Sequence, residues 1–153
     1  MGRPYFDCSV SRVINAPISF VYGWCTDFRE DDNRITGEKK RIAILERARN
    51  RFIMSVRYKS HGKAMHAARV VTLRPPYSWH LDWIGDEDNE TGDYRLTRLG
   101  NRKTKLNVTF RVRNNIPTAP GSREWEKHAN SVWDKYVSAL ERDYQKAIGR
   151  TVF

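Results

Sequence analysis

The sequence predicts an α+β fold: one strand, two short helices, about six antiparallel strands, then one long C-terminal helix. Three observations carry it. Apolar residues recur at steps of three, four or one from Trp125 through Ala129, Val132, Trp133, Tyr136, Val137, Leu140 and Tyr144 to Ala147 and Ile148, which is one face of an α-helix. From Glu38 to Arg113 the dominant period is two, the mark of strands with one buried face. Between the first strand and that region, Pro17 precedes Ile18, Val21, Tyr22 and Cys25 at helical spacing.

Residues 5–14 alternate loosely and read as the first strand. Asn15-Ala16-Pro17 breaks it, with Pro17 in the first helical turn and Asn15 or Ala16 at the cap. Asp27 to Gly37 is polar, anchored by Phe28 and Ile35, and reads as a second short helical piece and a loop. Lys40–Ala48 and Arg51–Ser60 read as strands. A two-residue turn at His61-Gly62 pairs Tyr58 with Met65, Val56 with Ala67, Met54 with Arg69 and Phe52 with Val71. That register sets Arg69 among apolar neighbours. Pro75-Pro76 ends the strand, and Trp79, Leu81 and Trp83 share the next inward face. Asp86–Asp93 reads as an acidic turn. A three-residue loop, Gly100-Asn101-Arg102, pairs Leu96 with Leu106 and Tyr94 with Val108, because a slip of one would turn every side chain over. The last helix runs from a Ser122 cap to a Gly149 stop, about 42 Å at 1.5 Å per residue.

The length suits one domain, 1–153. With 39% hydrophobic and 30% charged residues, no apolar run long enough to cross a bilayer and no apolar leader after Met1, the composition points to a soluble cytoplasmic protein. Cys8 and Cys25 read as two buried thiols rather than a disulfide. The net charge of +10 is banded. A basic block runs from Lys39 to Lys63, an acidic block from Asp82 to Asp93, and a second basic block from Arg95 to Arg113. The basic outer face lacks interleaved aromatics for base stacking, which argues against a specific nucleic-acid site.

The order of elements, the Asn15-Ala16-Pro17, Val21-Tyr22 and Asp27-Phe28 spacing, the Pro75-Pro76 strand end and the terminal amphipathic helix together resemble the SRPBCC superfamily. That group holds START, birch-pollen-allergen-like and polyketide cyclase/dehydrase proteins. The resemblance covers nearly the whole chain. It implies a helix-grip fold, a curved antiparallel sheet of about six to seven strands wrapped around the C-terminal helix, with an apolar cavity between them. It supplies no reaction.

Given such a cavity, the inward-facing candidates to line it are Met54, Val56, Tyr58, Arg69, Trp79, Leu81, Trp83, Tyr94, Leu96, Arg98, Val108, Phe110, Val132, Tyr136 and Leu140. A buried guanidinium at Arg69 needs a carboxylate partner, a position at the mouth or an anionic ligand. Arg98 shares its parity near a strand end. His61, His66, His80 and His128 are scattered without zinc spacing. Asp86, Asp88 and Glu90 approach a calcium-loop pattern, but Gly92 falls one place late and Thr97 stands where the closing Glu belongs. No cofactor and no metal is expected. The leading function is binding or transport of a hydrophobic or amphipathic small molecule. The rivals are a cyclase/dehydrase-like enzyme, for which only Tyr58, Tyr94, Arg69 and Tyr136 offer acid–base or polarising groups, and a nucleic-acid-binding module.

Overall fold

The computed structural model describes residues 4–28 and 33–152, and for Asn33, Arg34 and residues 150–152 the backbone alone. Met1 to Arg3, at the head of the stretch searched for a leader, and residues 29–32 of the polar run lie outside the described residues. The elements are β1 (Phe6–Ile14), α1 (Ile18–Cys25), α2 (Asn33–Thr36), β2 (Arg41–Arg47), β3 (Arg51–Ser60), β4 (Lys63–Arg74), β5 (Ser78–Gly85), β6 (Asp88–Gly100), β7 (Lys103–Asn114) and α3 (Ser122–Val152).

All seven strands form one antiparallel sheet in the order β1-β7-β6-β5-β4-β3-β2. β2 to β7 are successive hairpins, and β1 closes the far edge against β7. α1 and α2 carry the chain from one edge to the other. α3 lies on the concave face, where its apolar stripe meets the inward side chains of the strands.

The β3–β4 register is the expected one, with Tyr58 opposite Met65 and Met54 opposite Arg69. His61 and Gly62 both adopt positive φ, 51° and 76°, as a two-residue hairpin turn of the I′ type requires. Leu96 opposite Leu106 and Tyr94 opposite Val108 also hold. The loop is built differently, however. Gly100 pairs with Lys103 around a two-residue turn, and a bulge between Arg98 and Gly100 absorbs the odd residue, Leu99. A second bulge between Ile44 and Glu46 does the same at Leu45. Both bulged leucines are exposed, which accounts for two large apolar side chains on the surface.

Four other expectations are corrected. The acidic turn is confined to Asp86-Glu87, and β6 begins at Asp88, because residues 88–93 pair with Asn114–Thr109 of β7. α3 does not stop at Gly149. It runs on to Val152, and a helical glycine costs only about 1 kcal/mol against alanine. The carbonyl of Gly121, not Ser122, accepts the first helical bond, from Trp125 N–H at 2.9 Å. Pro17 is itself the N-cap of α1, with φ −63° and ψ 149°, and its carbonyl accepts the Val21 N–H.

The densest packing lies around Ile14, Val21, Met54, Val56, Val71, Leu106, Val108, Val112 and Leu140, all almost fully buried. Thr104, also fully buried, donates its hydroxyl to the Ala16 carbonyl at 2.8 Å and ties the β1–α1 corner to β7.

Candidate ligand cavity

A cavity of about 560 Å³ opens between the concave face and the N-terminal half of α3. That volume is within the range of small-molecule sites. Its floor comes from the sheet: Tyr58 on β3, Arg69 on β4, Trp79, Leu81 and Trp83 on β5, Asp88, Glu90 and Tyr94 on β6, and Phe110 on β7. Its roof is Trp125, His128, Ala129, Val132, Trp133 and Tyr136 of α3. Trp24, Cys25, Phe28, Ile35 and residues Glu38 to Lys40 close one side. Exposed Lys39, Lys59 and His128 stand at its rim.

The aromatic wall is mutually packed. Trp79 and Tyr94 stack with centroids 4.8 Å apart, Phe110 meets Trp125 edge-on at 4.8 Å, and Trp133 contacts Tyr94 at 5.9 Å and Tyr136 at 5.2 Å. Gly92 makes this possible. It faces inward between Leu81 and Phe110, and a Cβ there would come within 3.0 Å of the Tyr94 ring and 3.2 Å of the Phe110 ring.

Of the residues expected to line a cavity, Tyr58, Arg69, Trp79, Leu81, Trp83, Tyr94, Phe110, Val132 and Tyr136 border it. Met54, Val56, Leu96, Val108 and Leu140 do not; they are buried in the solid core. Arg98 is exposed beside the β6 bulge and donates to the Asn101 side-chain oxygen at 2.9 Å, so parity alone misplaced it.

Arg69 has no carboxylate partner among the described residues. Its guanidinium lies 5.3 Å from the centre of the Trp83 ring, and its buried Nε finds no acceptor. The Trp83 indole is buried too, and its N–H is directed toward the Asp88 carboxyl group. The orphaned Arg69 donor calls for an explanation, since a buried donor costs about 1–3 kcal/mol when left unsatisfied.

The carboxylates here escaped the sequence reading. Continuing the period-two pattern of Tyr94 backward through Gly92 puts Glu90 and Asp88 on the inner face, a signal masked by their acidic company. Burial, then the charge of Asp88, push Glu90 up to about 8, against the pull of Arg69 and Lys40. Burial and Glu87 also raise Asp88, opposed by the Trp83 and Trp125 indoles and by Lys40. Glu38 goes the other way: His128, at 3.7 Å, and Lys40, at 2.9 Å, hold it far below the usual carboxylate range despite burial. Glu87 accepts the Tyr58 and Ser60 hydroxyls. Burial pushes the Tyr58 and Tyr94 phenols upward and the Cys25 thiol to about 12, so none of the three ionises near neutral pH.

The remaining histidines sit elsewhere. On the convex face His80 bridges Asp93 at 2.7 Å and Asp82 at 2.9 Å, and His66 meets the Ser55 hydroxyl at 2.7 Å.

This architecture is a helix-grip fold, a curved antiparallel sheet around a long C-terminal helix. Solved structures with it include an aromatase/cyclase from Streptomyces sp. R1128, 12% identical over 95% of this chain and 96% of that one, TM-score 0.69. A Thermus thermophilus protein is 18% identical over 93% and 99%, TM-score 0.74. A START superfamily protein from Mycobacterium smegmatis is 20% identical over 92% and 98%, TM-score 0.69. No protein-family model and no curated protein matches the sequence. Among the described residues no helix is long and apolar enough to cross a membrane.

Proposed function

We propose that this chain, as a single cytoplasmic domain, binds a hydrophobic or amphipathic small molecule, lipid-like, polyketide-like or aromatic, between its sheet and α3. The observation that carries the reading is the 560 Å³ cavity, whose wall is largely aromatic yet holds the buried Arg69 Nε without an acceptor. The aromatic wall takes the apolar body, and Arg69 takes a polar end. Asp88 and Glu90, near Arg69, disfavour a ligand that brings several negative charges to that end.

Native mass spectrometry of the purified protein tests the reading by looking for a bound small molecule. Arg69→Met sharpens it. The variant keeps its melting temperature, because no ion pair is broken, and binds an anionic naphthalene fluorophore about tenfold more weakly, as loss of one charged hydrogen bond implies. A large melting shift with unchanged affinity overturns the role of Arg69.

A second reading, a cyclase/dehydrase-like enzyme, draws on one observation: a carboxyl group able to exchange protons near neutral pH faces the cavity at Glu90.

A further inference from the structure

One end of the sheet gathers basic side chains that the cavity does not use. The chain turns there three times, at residues 48–50, 75–77 and 101–102. The Leu73 N–H donates to the Asn50 carbonyl at 2.7 Å and the Leu96 N–H to the Tyr77 carbonyl at 2.9 Å, so the three turns stand side by side. At about 4.8 Å per strand, neighbouring turns are roughly 10 Å apart. Each carries exposed arginine: Arg49 on the first, Arg74 before the second, Arg98 and Arg102 around the third. From Tyr94 to Lys105 the chain holds Arg95, Arg98, Arg102, Lys103 and Lys105 and no acidic residue. Among the described residues, Arg49, Arg95, Arg102 and Lys103 enter no ion pair. The opposite end differs: there Asp86, Glu87 and Asp88 lie near Lys59 and Lys63.

Two apolar side chains stand among these charges. The bulge between Arg98 and Gly100 leaves Leu99 half exposed, with Arg98 and Arg102 on either side. Tyr77, on the adjacent turn, is 37% exposed and follows exposed Pro75 and Pro76. Basic side chains alone suit any polyanion. A leucine held out by a bulge has no counterpart on a phosphate backbone, whereas a bilayer has an apolar layer directly beneath its phosphates. We propose that this end of the sheet docks on a membrane rich in anionic phospholipid, with the arginines at the headgroup phosphates and Leu99 and Tyr77 entering the interface. The aliphatic stems of Arg98 and Arg102 can lie along Leu99 while their guanidinium groups stay with the headgroups. Lys59, on the cavity rim, lies at the other end of β3, so the docked protein keeps that rim turned to water. The docking is independent of what the cavity holds.

The test is sedimentation of the full chain with vesicles, either phosphatidylcholine alone or phosphatidylcholine with about 30% phosphatidylserine. Wild type binds the second kind, ignores the first, and is released steeply as salt rises from about 50 to 200 mM. Arg98→Glu combined with Arg102→Glu lowers the partition coefficient at least about tenfold, because two attractions become repulsions. Leu99→Ser, with no change of charge, lowers it about threefold or more. Arg57→Glu combined with Lys63→Glu removes the same charge away from the three turns and binds within about twofold of wild type. All these positions are exposed, so melting temperatures stay close to that of wild type. The lipid and salt dependence of wild type decides even if a variant fails to fold. Wild type that ignores phosphatidylserine vesicles, or binds both kinds equally, overturns the proposal. So does an equal loss in the two charge variants, or unchanged binding by Leu99→Ser. Tighter binding to duplex RNA than to vesicles at physiological salt would make this end a nucleic-acid site and overturn it as well.

Discussion

The two halves of α3 meet different surroundings. Leu140 and Tyr144, in the C-terminal half, close onto a core that includes Ile14, Val21 and Leu106, and the Tyr144 ring sits 5.1 Å from Phe20. Trp125, Ala129, Val132, Trp133 and Tyr136, in the N-terminal half, roof the cavity. The helix is continuous and its stripe is apolar throughout. What differs is the floor below: Ile14 and Leu106, at the end of the sheet where the Asn15 N–H donates to Glu141, in one region, and large rings with Arg69, Asp88 and Glu90 in the other. α1 also covers the first region. The lesson is that one amphipathic helix can serve as core and as lid, with its floor deciding which.

The strongest way to break this contrast is at Leu140, which is 1% exposed. Leu140→Ala leaves a hole in the packed half and costs about 2–5 kcal/mol by urea unfolding, with probe binding per folded molecule unchanged. A cost below about 1 kcal/mol would mean that this half is loose as well.

Glu90→Gln comes next. A carboxyl group raised to about 8 in the folded chain and near 4.5 in the unfolded chain binds more protons when folded across that window. Stability therefore falls as pH rises from about 4.5 to 8, and the amide removes that loss. The variant gains on the order of 1–3 kcal/mol over wild type above pH 8 and little below pH 5, read from melting curves at each pH. Parallel curves for the two proteins would show that Glu90 sits in ordinary solvent.

Ala129→Trp sharpens the contrast from the other side. Ala129 borders the cavity, so the indole enters open volume instead of packed atoms. The expected stability change is within about 1 kcal/mol, against the roughly 1–3 kcal/mol or more of true overpacking, while binding of an apolar fluorophore is lost. A strongly destabilised Ala129→Trp would mean that the roof is solid. The smallest effect belongs to the convex face, which neither half uses. Its binding to duplex DNA is weak, indifferent to sequence and steeply reduced between about 50 and 200 mM salt. Tight binding to one sequence at physiological salt would make that face a site in its own right.

The β3–β4 register and the inward position of Arg69 are legible in the sequence because a two-residue turn leaves no freedom once its place is known. Parity was equally legible: Trp79, Trp83, Tyr94 and Phe110 all face inward. Depth along a strand was not. Met54 and Tyr58 share a face of β3, yet one is core and the other cavity wall. Asp88 and Glu90 were hidden for another reason. Acidic residues in a row suggest solvent, and only a polar cavity allows carboxyl groups to continue the inward face of a strand.

The pairing of β1 with β7 has a consequence for synthesis. Ile14 and Thr104 are partners at one end of that ladder, Phe6 and Val112 at the other, so the first strand waits for most of the chain to be made. The β2 to β7 hairpins can form in sequence as they emerge, but α3 begins only at Ser122. Until it leaves the ribosome, the concave rings of Trp79, Trp83, Tyr94 and Phe110 have nothing over them. A nascent chain of this protein therefore carries uncovered aromatic surface until α3 has emerged.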